Sequence, residues 1–153
     1  MDLSIVVPVY NSEEILHTLV DTIQKDVKFV KDFELILVND NSPDKSWDKI
    51  KELREIFPFI KGINLMRNYS QHNAIMAGLG EASGDVIVTM DDDLQHRPKD
   101  IELLYNEIKY NSYDVCYTKF SKKSHQKWKL LGSKFNDFVA NSLINKPKDL
   151  YSF

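Results

Sequence analysis

The sequence predicts an α/β fold with a mostly parallel sheet and helices on both faces. Short runs of β-branched and aliphatic residues alternate with longer segments whose apolar residues recur at helical spacing. The chain of 153 residues is the size of one domain, and its hydrophobic fraction of 42% is ordinary for a globular fold. We therefore expect one core built from crossover units.

The first two strands are predicted over residues 3–9 and 33–39, where aliphatic side chains run almost unbroken. Asn11 or Ser12 can cap the helix that follows the first strand, because either side chain accepts hydrogen bonds from free helix amides. A second helix is predicted to end before Pro58. The apolar positions of the two helices are Ile15, Leu16, Leu19, Val20 and Ile23, then Ile50, Leu53 and Phe57.

The second half of the chain continues the same alternation. A third strand is predicted over residues 62–66 and a helix over 70–82. Residues 86–90 are nearly all apolar, which is typical of a strand covered on both faces. A helix over 101–110 and a strand over 113–120 complete the pattern. Ligands of such open sheets bind beyond the carboxyl ends of the strands, near the point where strand order reverses.

Composition and charge narrow the function classes. The net charge of -3 gives no general reason to bind nucleic acid. The single cysteine, Cys116, cannot form an internal disulfide and fits a reducing compartment. The first residues lack a basic segment, and Pro8 interrupts their apolar run, which argues against a signal peptide. We therefore expect a cytoplasmic location.

Polar residues follow each of the first four predicted strands. Because the carboxyl ends of parallel strands share one edge of the sheet, these residues should converge there. Asp and Asn are also common in turns for conformational reasons alone, which is the alternative explanation. The segments are Tyr10-Asn11, Asp40-Asn41, Arg67-Asn68 and Asp91-Asp92-Asp93.

The acidic run Asp91-Asp92-Asp93 is the sharpest chemical signal. Unpaired, these carboxylates repel one another, whereas a divalent cation relieves the repulsion, and Mg²⁺ or Mn²⁺ prefers such oxygen ligands. A cation held by only one or two side chains keeps positions open for a diphosphate and stabilises the charge on it as it leaves. Gln95 can add a carbonyl oxygen or orient a ligand. The alternative is a solvated acidic loop.

Four segments together resemble the family 2 glycosyltransferases of GT-A fold. Within that family the chain is most similar to the polyprenyl-phosphate glycosyltransferases, relatives of dolichol-phosphate mannose synthase; the narrower match lies in residues 67–78, Asp93-Leu94-Gln95 and Pro98. The resemblance covers essentially the whole chain. The four segments are Val7-Pro8-Val9-Tyr10-Asn11, Val38-Asn39-Asp40-Asn41-Ser42, Arg67-Asn68-Tyr69 and Asp91-Asp92-Asp93-Leu94-Gln95.

The resemblance implies an inverting, metal-dependent transferase that uses a UDP or GDP sugar with Mg²⁺ or Mn²⁺. It implies catalytic roles for Asp91, Asp93 and Arg67, with Arg67 near the donor phosphates, and a metal site formed by Asp91, Asp93 and Gln95. The chain departs from the family at two positions: Ser12 stands where many members have Glu, and Asn39 replaces the first acid of a common pair. The nucleotide-binding residues implied by the resemblance are Pro8, Tyr10, Asn11, Glu13, Asp40, Arg67, Asp91 and Asp92.

The final segment suggests an acceptor. Residues 1–120 are expected to form the nucleotide-sugar-binding part and residues 121–153 the start of an acceptor region that is truncated at its C-terminus. Apolar residues at helical spacing accompany the lysines there, so this segment could contact an anionic membrane surface at the cytoplasmic face, or be an ordinary core-packed helix. The lysines are Lys122, Lys123, Lys127, Lys129, Lys134, Lys146 and Lys148.

The acceptor decides between two enzymatic interpretations. A polyprenyl phosphate is already anionic and needs positive charge rather than a base, which the lysines favour. A saccharide hydroxyl needs a general base, for which Asp149 is the only candidate in the tail. A non-catalytic nucleotide-sugar-binding module is the third interpretation. A receiver domain of similar size is disfavoured, because it needs acids after the first strand. Homo-oligomeric assembly stays open.

Overall fold

The computed structural model describes residues 1–95, 97–111 and 113–118. Residues Met1–Tyr117 form one compact unit in which strands and helices alternate. In chain order the elements are β1 (Leu3–Val9), α1 (Leu16–Asp26), β2 (Phe33–Asn39), α2 (Ser46–Ile56), β3 (Ile60–Asn64), α3 (Gln71–Glu81), β4 (Val86–Thr89) and α4 (Asp100–Asn111).

The four strands form one parallel sheet in the order β3-β2-β1-β4. The chain first adds β2 and β3 on one side of β1 and then places β4 on the other side. Strand order therefore reverses between β1 and β4, which is where open sheets of this kind bind ligands.

Helices cover both faces of the sheet, as predicted. On one face, Ala74 of α3 packs against Val6, Ile36 and Val38. On the other face, α1, α2 and α4 form a larger cluster with the sheet. Because both faces are covered, every residue of β1 is buried, and the two central strands provide a rigid base for the loops that follow them. The residues of β1 and β2 in the larger cluster are Leu3, Ile5, Val7, Val9, Leu35 and Leu37.

Three sequence predictions need correction at the ends of elements. β3 runs from Ile60 to Asn64, two residues earlier than predicted, because its first residue is paired with Leu35 of β2. Residues 113–118 form no strand, and residues 119 and 120 lie outside the described residues. β4 is not covered on both faces: its burial alternates, and Ile87 is 41% exposed, because α3 packs over β1 and β2 and, among the described residues, leaves that face of β4 largely uncovered.

The predicted cap of α1 is also wrong. The helix begins at Leu16, and no side chain caps it. The backbone carbonyl of Ser12 instead accepts hydrogen bonds from the N–H groups of Ile15 and Leu16, at 3.1 and 3.2 Å. The side chains of Asn11 and Ser12 are therefore not needed at the helix end.

The basic segment with its lysines, and Asp149, lie outside the described residues. Within residues 1–95, 97–111 and 113–118, no helix is both long and apolar enough to cross a membrane.

Candidate functional site

A cavity of about 360 Å³ opens at the carboxyl ends of the strands, where strand order reverses. We call it the rim cavity. Its walls come from the segments that follow all four strands, so the predicted convergence of strand ends is confirmed. The lining residues are Pro8, Val9, Tyr10, Asp40, Asn68, Ser70, Gln71, Asp91, Asp92 and Asp93.

Asp40 forms the buried end of the rim cavity, and the residue is only 3% exposed. Its N–H donates to the carbonyl of Val9 at 2.9 Å, which continues the β1–β2 pairing by one residue. Its Oδ1 accepts the N–H of Tyr69 at 2.7 Å. Asp40 therefore fixes the segment after β3 while presenting a carboxylate to the cavity.

Asn39, which departs from the family pattern, has a structural role. Its Nδ2 donates to Asn64 Oδ1 at 2.7 Å, and its Oδ1 accepts the N–H of Ser42 at 3.3 Å. A carboxylate could not donate the first of these bonds. The amide thus ties the ends of β2 and β3 together.

The acidic run is held by contacts from different parts of the chain. Asp91 Oδ1 accepts Gln71 Nε2 at 2.6 Å. Asp92 Oδ2 accepts the hydroxyl of Ser12 and, at 3.4 Å, the N–H of Tyr10. Burial raises the pKa of Asp92, although these hydrogen bonds act in the opposite direction.

Asp93 is exposed at the mouth of the rim cavity. Its Oδ1 accepts the backbone N–H of Gln95 at 2.9 Å, across Leu94, whose φ is 57°. The side chain of Gln95 lines neither this cavity nor the one beside it. Within the described part of the chain, no three His, Cys, Asp or Glu side chains are grouped to hold a metal ion. The acidic run therefore offers fewer than three carboxylates to one cation.

A second cavity, of about 630 Å³, adjoins the first, and we call it the loop cavity. The two share Tyr10, Asp92 and Asp93. The remaining residues come from the β1–α1 and β2–α2 loops, and they are Asn11, Ser12, Glu13, Glu14, Ile15 and Asp44.

Reciprocal hydrogen bonds join these two loops. The N–H of Glu13 donates to Asp44 Oδ2 at 3.0 Å, and the N–H of Lys45 donates to Glu13 Oε2 at 3.2 Å. Burial tends to raise the pKa of Asp44, but hydrogen bonds from Ser46 and Glu13 outweigh it and lower the pKa. The carboxylate of Glu13 is thus engaged with a loop rather than with the rim cavity.

The structure brings together most of the predicted site residues. Asn11 and Glu13 line only the loop cavity. Arg67 is exposed and lines neither cavity; its guanidinium lies 4.8 Å from the centre of the Tyr69 ring. The predicted residues that share the rim cavity are Pro8, Tyr10, Asp40, Asp91, Asp92 and Asp93.

Asn68, which was predicted to lie at this edge, lines the rim cavity together with Ser70 and Gln71, for which the sequence predicted no site role. They lie between the end of β3 and the first turn of α3. The predicted strand-end segment ends at Asn68, whereas the polar residues that reach the cavity continue to the start of α3, and that continuous polar stretch was the signal for Ser70 and Gln71.

Comparison with known proteins decides the family. Residues 4–150 match the family described as Glycosyl transferase family 2. The chain belongs to this family. The GT2 match spans nearly the whole sequence, including the segments that line the rim cavity.

Curated relatives of this GT2 chain carry lipid-phosphate transferase names. An undecaprenyl-phosphate 4-deoxy-4-formamido-L-arabinose transferase from Photorhabdus laumondii is 37% identical over 145 residues, covering 94% of this chain and 43% of the relative. A dolichol-phosphate mannosyltransferase from Pyrococcus furiosus is 38% identical over 116 residues, covering 76% of this chain and 32% of the relative. The chain thus spans less than half the length of these relatives.

Solved structures of similar fold confirm the GT-A class. The mannosyltransferase PcManGT from Pyrobaculum calidifontis, in complex with GDP-Man and Mn²⁺, has a TM-score of 0.62 at 19% identity, covering 76% of this chain and 35% of that chain. S. aureus TarS 1-349 in complex with UDP has a TM-score of 0.59 at 23% identity, covering 80% of this chain and 40% of that chain. At these identities the likeness concerns the fold alone.

Proposed function

We propose that this domain binds a nucleotide-diphosphate sugar with Mg²⁺ or Mn²⁺, and that the whole protein transfers the sugar to a polyprenyl phosphate. One observation carries the proposal: Asp40, after β2, and the acidic run, after β4, line the same cavity where strand order reverses. The names of the curated relatives support the lipid-phosphate acceptor.

The nucleoside would occupy the side of the rim cavity formed by Pro8, Tyr10 and Asp40. Asp40 Oδ1 already accepts the N–H of Tyr69, so Oδ2 is the oxygen that would accept a hydrogen bond from the base. In this arrangement Asp40 is buried and fixed before the ligand arrives, which lowers the entropic cost of binding.

Asp91 and Asp93 would hold the cation. Their carboxylates are hard oxygen donors, and Gln71 already orients Asp91. Since no three acidic side chains of the described residues are placed to hold one metal ion together, the remaining positions would be left to diphosphate oxygens and water. A bound cation would neutralise the charge that develops on the diphosphate as it leaves.

Transfer would proceed by attack of an acceptor phosphate oxygen on the anomeric carbon, opposite the diphosphate. The new C–O bond forms as the bond to the diphosphate breaks, and the nucleoside diphosphate leaves with the electron pair, so the anomeric centre inverts. The acceptor is already anionic, so no general base is needed. We propose that Arg67, which is exposed beside Tyr69, approaches the donor phosphates, and that the reaction takes place at the cytoplasmic face of a membrane.

Calorimetric titration with UDP and GDP, with and without Mn²⁺, tests donor binding. We expect one nucleotide to bind in a Mn²⁺-dependent manner and Asp93→Ala to abolish that dependence without loss of the fold. Asp85→Ala is the matched control, because Asp85 is an exposed acid at the opposite end of β4. Unchanged Mn²⁺-dependent binding by Asp93→Ala would contradict the proposal.

Assays of the full-length protein test the acceptor. We expect transfer from the preferred donor to a polyprenyl phosphate. Transfer to a saccharide hydroxyl instead would overturn the lipid acceptor, and metal-dependent binding with neither transfer nor hydrolysis would identify a non-catalytic module.

A further inference from the structure

Ser12 is buried, with 8% of its surface exposed, and it connects the β1–α1 loop with the start of α2 and with the acidic run. Its N–H donates to Ser46 Oγ at 2.9 Å, at the start of α2. Its hydroxyl lies within hydrogen-bond distance of Asp92 Oδ2 and, at 3.1 Å, of the Tyr10 carbonyl. Both of these are acceptors, and a hydroxyl has one hydrogen, so it donates to one of them at a time; a carboxylate oxygen is the stronger acceptor.

The sheet alone does not hold the acidic run. Pairing between β1 and β4 ends with Val6 beside Thr89, and the last backbone bond in this direction runs from the N–H of Met90 to the Val6 carbonyl, at 3.1 Å. Beyond Met90, Asp92 accepts hydrogen bonds from Ser12 and from the N–H of Tyr10. These contacts anchor the middle of the acidic run to the β1–α1 loop.

We propose that Ser12 and Asp92 are positioning residues, whose hydrogen bond holds Asp91 and Asp93 in the conformation that binds the metal-diphosphate group. This inference rests on the proposed function and deepens it. Asp92 acts by accepting hydrogen bonds from the loop, whereas Asp91 and Asp93 supply the ligand oxygens.

The departure from the family at position 12 fits this arrangement. A glutamate there would set a second carboxylate beside half-buried Asp92, and the like charges would disfavour both. Serine is neutral and supplies a donor. The two residues therefore form a matched pair across the end of the sheet.

Conservative replacement of Asp92 separates a positioning role from a ligand role. In Asp92→Asn the side-chain carbonyl oxygen can still accept from Ser12 and Tyr10, but the charge that a metal ligand supplies is lost. We expect Asp92→Ala to bind the preferred nucleotide with Mn²⁺ about tenfold more weakly than the wild type, the effect of losing hydrogen bonds to a carboxylate, and Asp92→Asn to lose clearly less affinity than Asp92→Ala.

Ser12→Ala and the double variant test the pair itself. We expect Ser12→Ala to weaken Mn²⁺-dependent binding by several-fold, and Ser12→Ala/Asp92→Ala to bind no more weakly than Asp92→Ala, because both changes remove one interaction. Metal-free nucleotide affinity and the melting temperature should change much less. A general loosening of the fold would instead lower Mn²⁺-dependent affinity, metal-free affinity and the melting temperature together.

Calorimetry with UDP, GDP and Mn²⁺ provides the outcomes. If Asp92→Asn binds as weakly as Asp92→Ala, the inference is overturned and Asp92 is a charged ligand. If the effects of Ser12→Ala and Asp92→Ala multiply in the double variant, the two residues act independently and the inference is also overturned. If Asp92→Ala fails to fold, Ser12→Ala and Asp92→Asn still decide between the roles. Absence of Mn²⁺-dependent binding in the wild type would overturn the proposed function and this inference together.

Discussion

At the scale of single residues, we assign different roles to the two carboxylate oxygens of Asp40. Oδ1 accepts the N–H of Tyr69 at 2.7 Å, in a position where the residue is almost fully buried. Oδ2 is the atom that we assign to the nucleobase. One residue therefore contributes both to the stability of the loop after β3 and to the proposed donor site.

Two substitutions separate these tasks. Asp40→Ala removes both oxygens and should lower the free energy of unfolding by about 1–2 kcal/mol, since a hydrogen bond to a charged group is lost. Asp40→Asn keeps an acceptor for Tyr69 and should lose less stability, but it should bind nucleotide as weakly as Asp40→Ala. Urea denaturation and nucleotide titration measure the two effects. Equal losses of stability would contradict the assignment of Oδ1.

Glu34 is buried in β2, and none of its contacts is with a predicted site residue. Its Oε1 accepts hydrogen bonds from the Ser4 hydroxyl and from the N–H and hydroxyl of Ser83, and its Oε2 lies 2.5 Å from Lys61 Nζ. Burial alone would raise the pKa of Glu34, but Lys61, Ser4 and Ser83 together lower it from 4.5 to about 2.

This shift predicts a pH-dependent contribution to stability. A carboxyl group with a lowered folded-state pKa stabilises the fold above its unfolded pKa of 4.5, and the contribution is lost as pH falls toward about 2. Glu34→Gln should therefore lower the free energy of unfolding by about 2 kcal/mol at pH 7, a value that allows for solvent screening at the half-exposed Lys61. The loss should become progressively smaller between about pH 4.5 and pH 3. Denaturation at several pH values measures the difference.

Glu52→Gln is the control for that experiment, because Glu52 pairs with Lys49 on the exposed surface of α2. Exposed ion pairs contribute little, so its effect should be small throughout. A difference between the wild type and Glu34→Gln that stays constant down to about pH 3 would contradict the role of Glu34.

At the scale of elements, apolar patterning located the two central strands and the helices, but it misjudged the bounds of β3 and the burial of β4. β1 and β2 have the predicted bounds because both of their faces are covered and their sequences are almost continuously apolar. β4 has a similar sequence, but α3 packs over β1 and β2 rather than over β4, so Ile87 is exposed. Strand position in a sheet depends on distant segments, which local patterning does not contain.

The candidate site likewise has a part that the sequence predicts and a part that it does not. Its convergence at one edge followed from parallel topology, and Asp40 and the acidic run lie where that argument placed them. The contact between Ser12 and Asp92 joins residues far apart in sequence, and the bond between Gln71 and Asp91 depends on how α3 packs. Neither could be derived from spacing along the chain.

The packing of α3 against the sheet gives a prediction for two glycines of that helix. A Cβ at Gly78 would overlap Val6 Cγ1 and lie 3.1 Å from Val38 Cγ2, whereas a Cβ at Gly80 would meet nothing within 4 Å. Gly78→Ala should destabilise the fold by about 1–3 kcal/mol despite the better helix propensity of alanine. Gly80→Ala should stabilise it by up to about 1 kcal/mol. Thermal denaturation compares them, and equal effects would contradict the packing of α3.

At the scale of the whole molecule, the sign of charge in the rim cavity matters. Among the described residues that line it are Asp40 and the three aspartates of the acidic run, and none is Lys or Arg, although the whole chain has a net charge of only -3. A nucleotide diphosphate is also anionic. Its approach is therefore opposed unless a cation accompanies it.

The salt dependence of nucleotide binding should consequently differ with and without the metal ion. Raising NaCl from about 0.05 M to about 0.3 M screens repulsion and should strengthen metal-free nucleotide binding. Mn²⁺-dependent binding should gain little or weaken over the same range, since the cation has already compensated the charge. Equilibrium dialysis with EDTA or Mn²⁺ measures both. Metal-free binding that weakens with salt would argue against the acidic cavity as the binding site.

The walls of the rim cavity extend along the sequence from Pro8 to Asp93, so no short piece of the unfolded chain contains the site. A ligand that occupies it binds the folded state and not the unfolded one, and at about a hundredfold excess over its Kd it would add about 2.7 kcal/mol to the free energy of unfolding. The melting temperature is therefore a readout of occupancy that requires neither an acceptor nor turnover. A panel of UDP and GDP sugars, each with Mn²⁺, could then be ranked by the rise in melting temperature that each one causes, and the natural donor should give one of the largest rises.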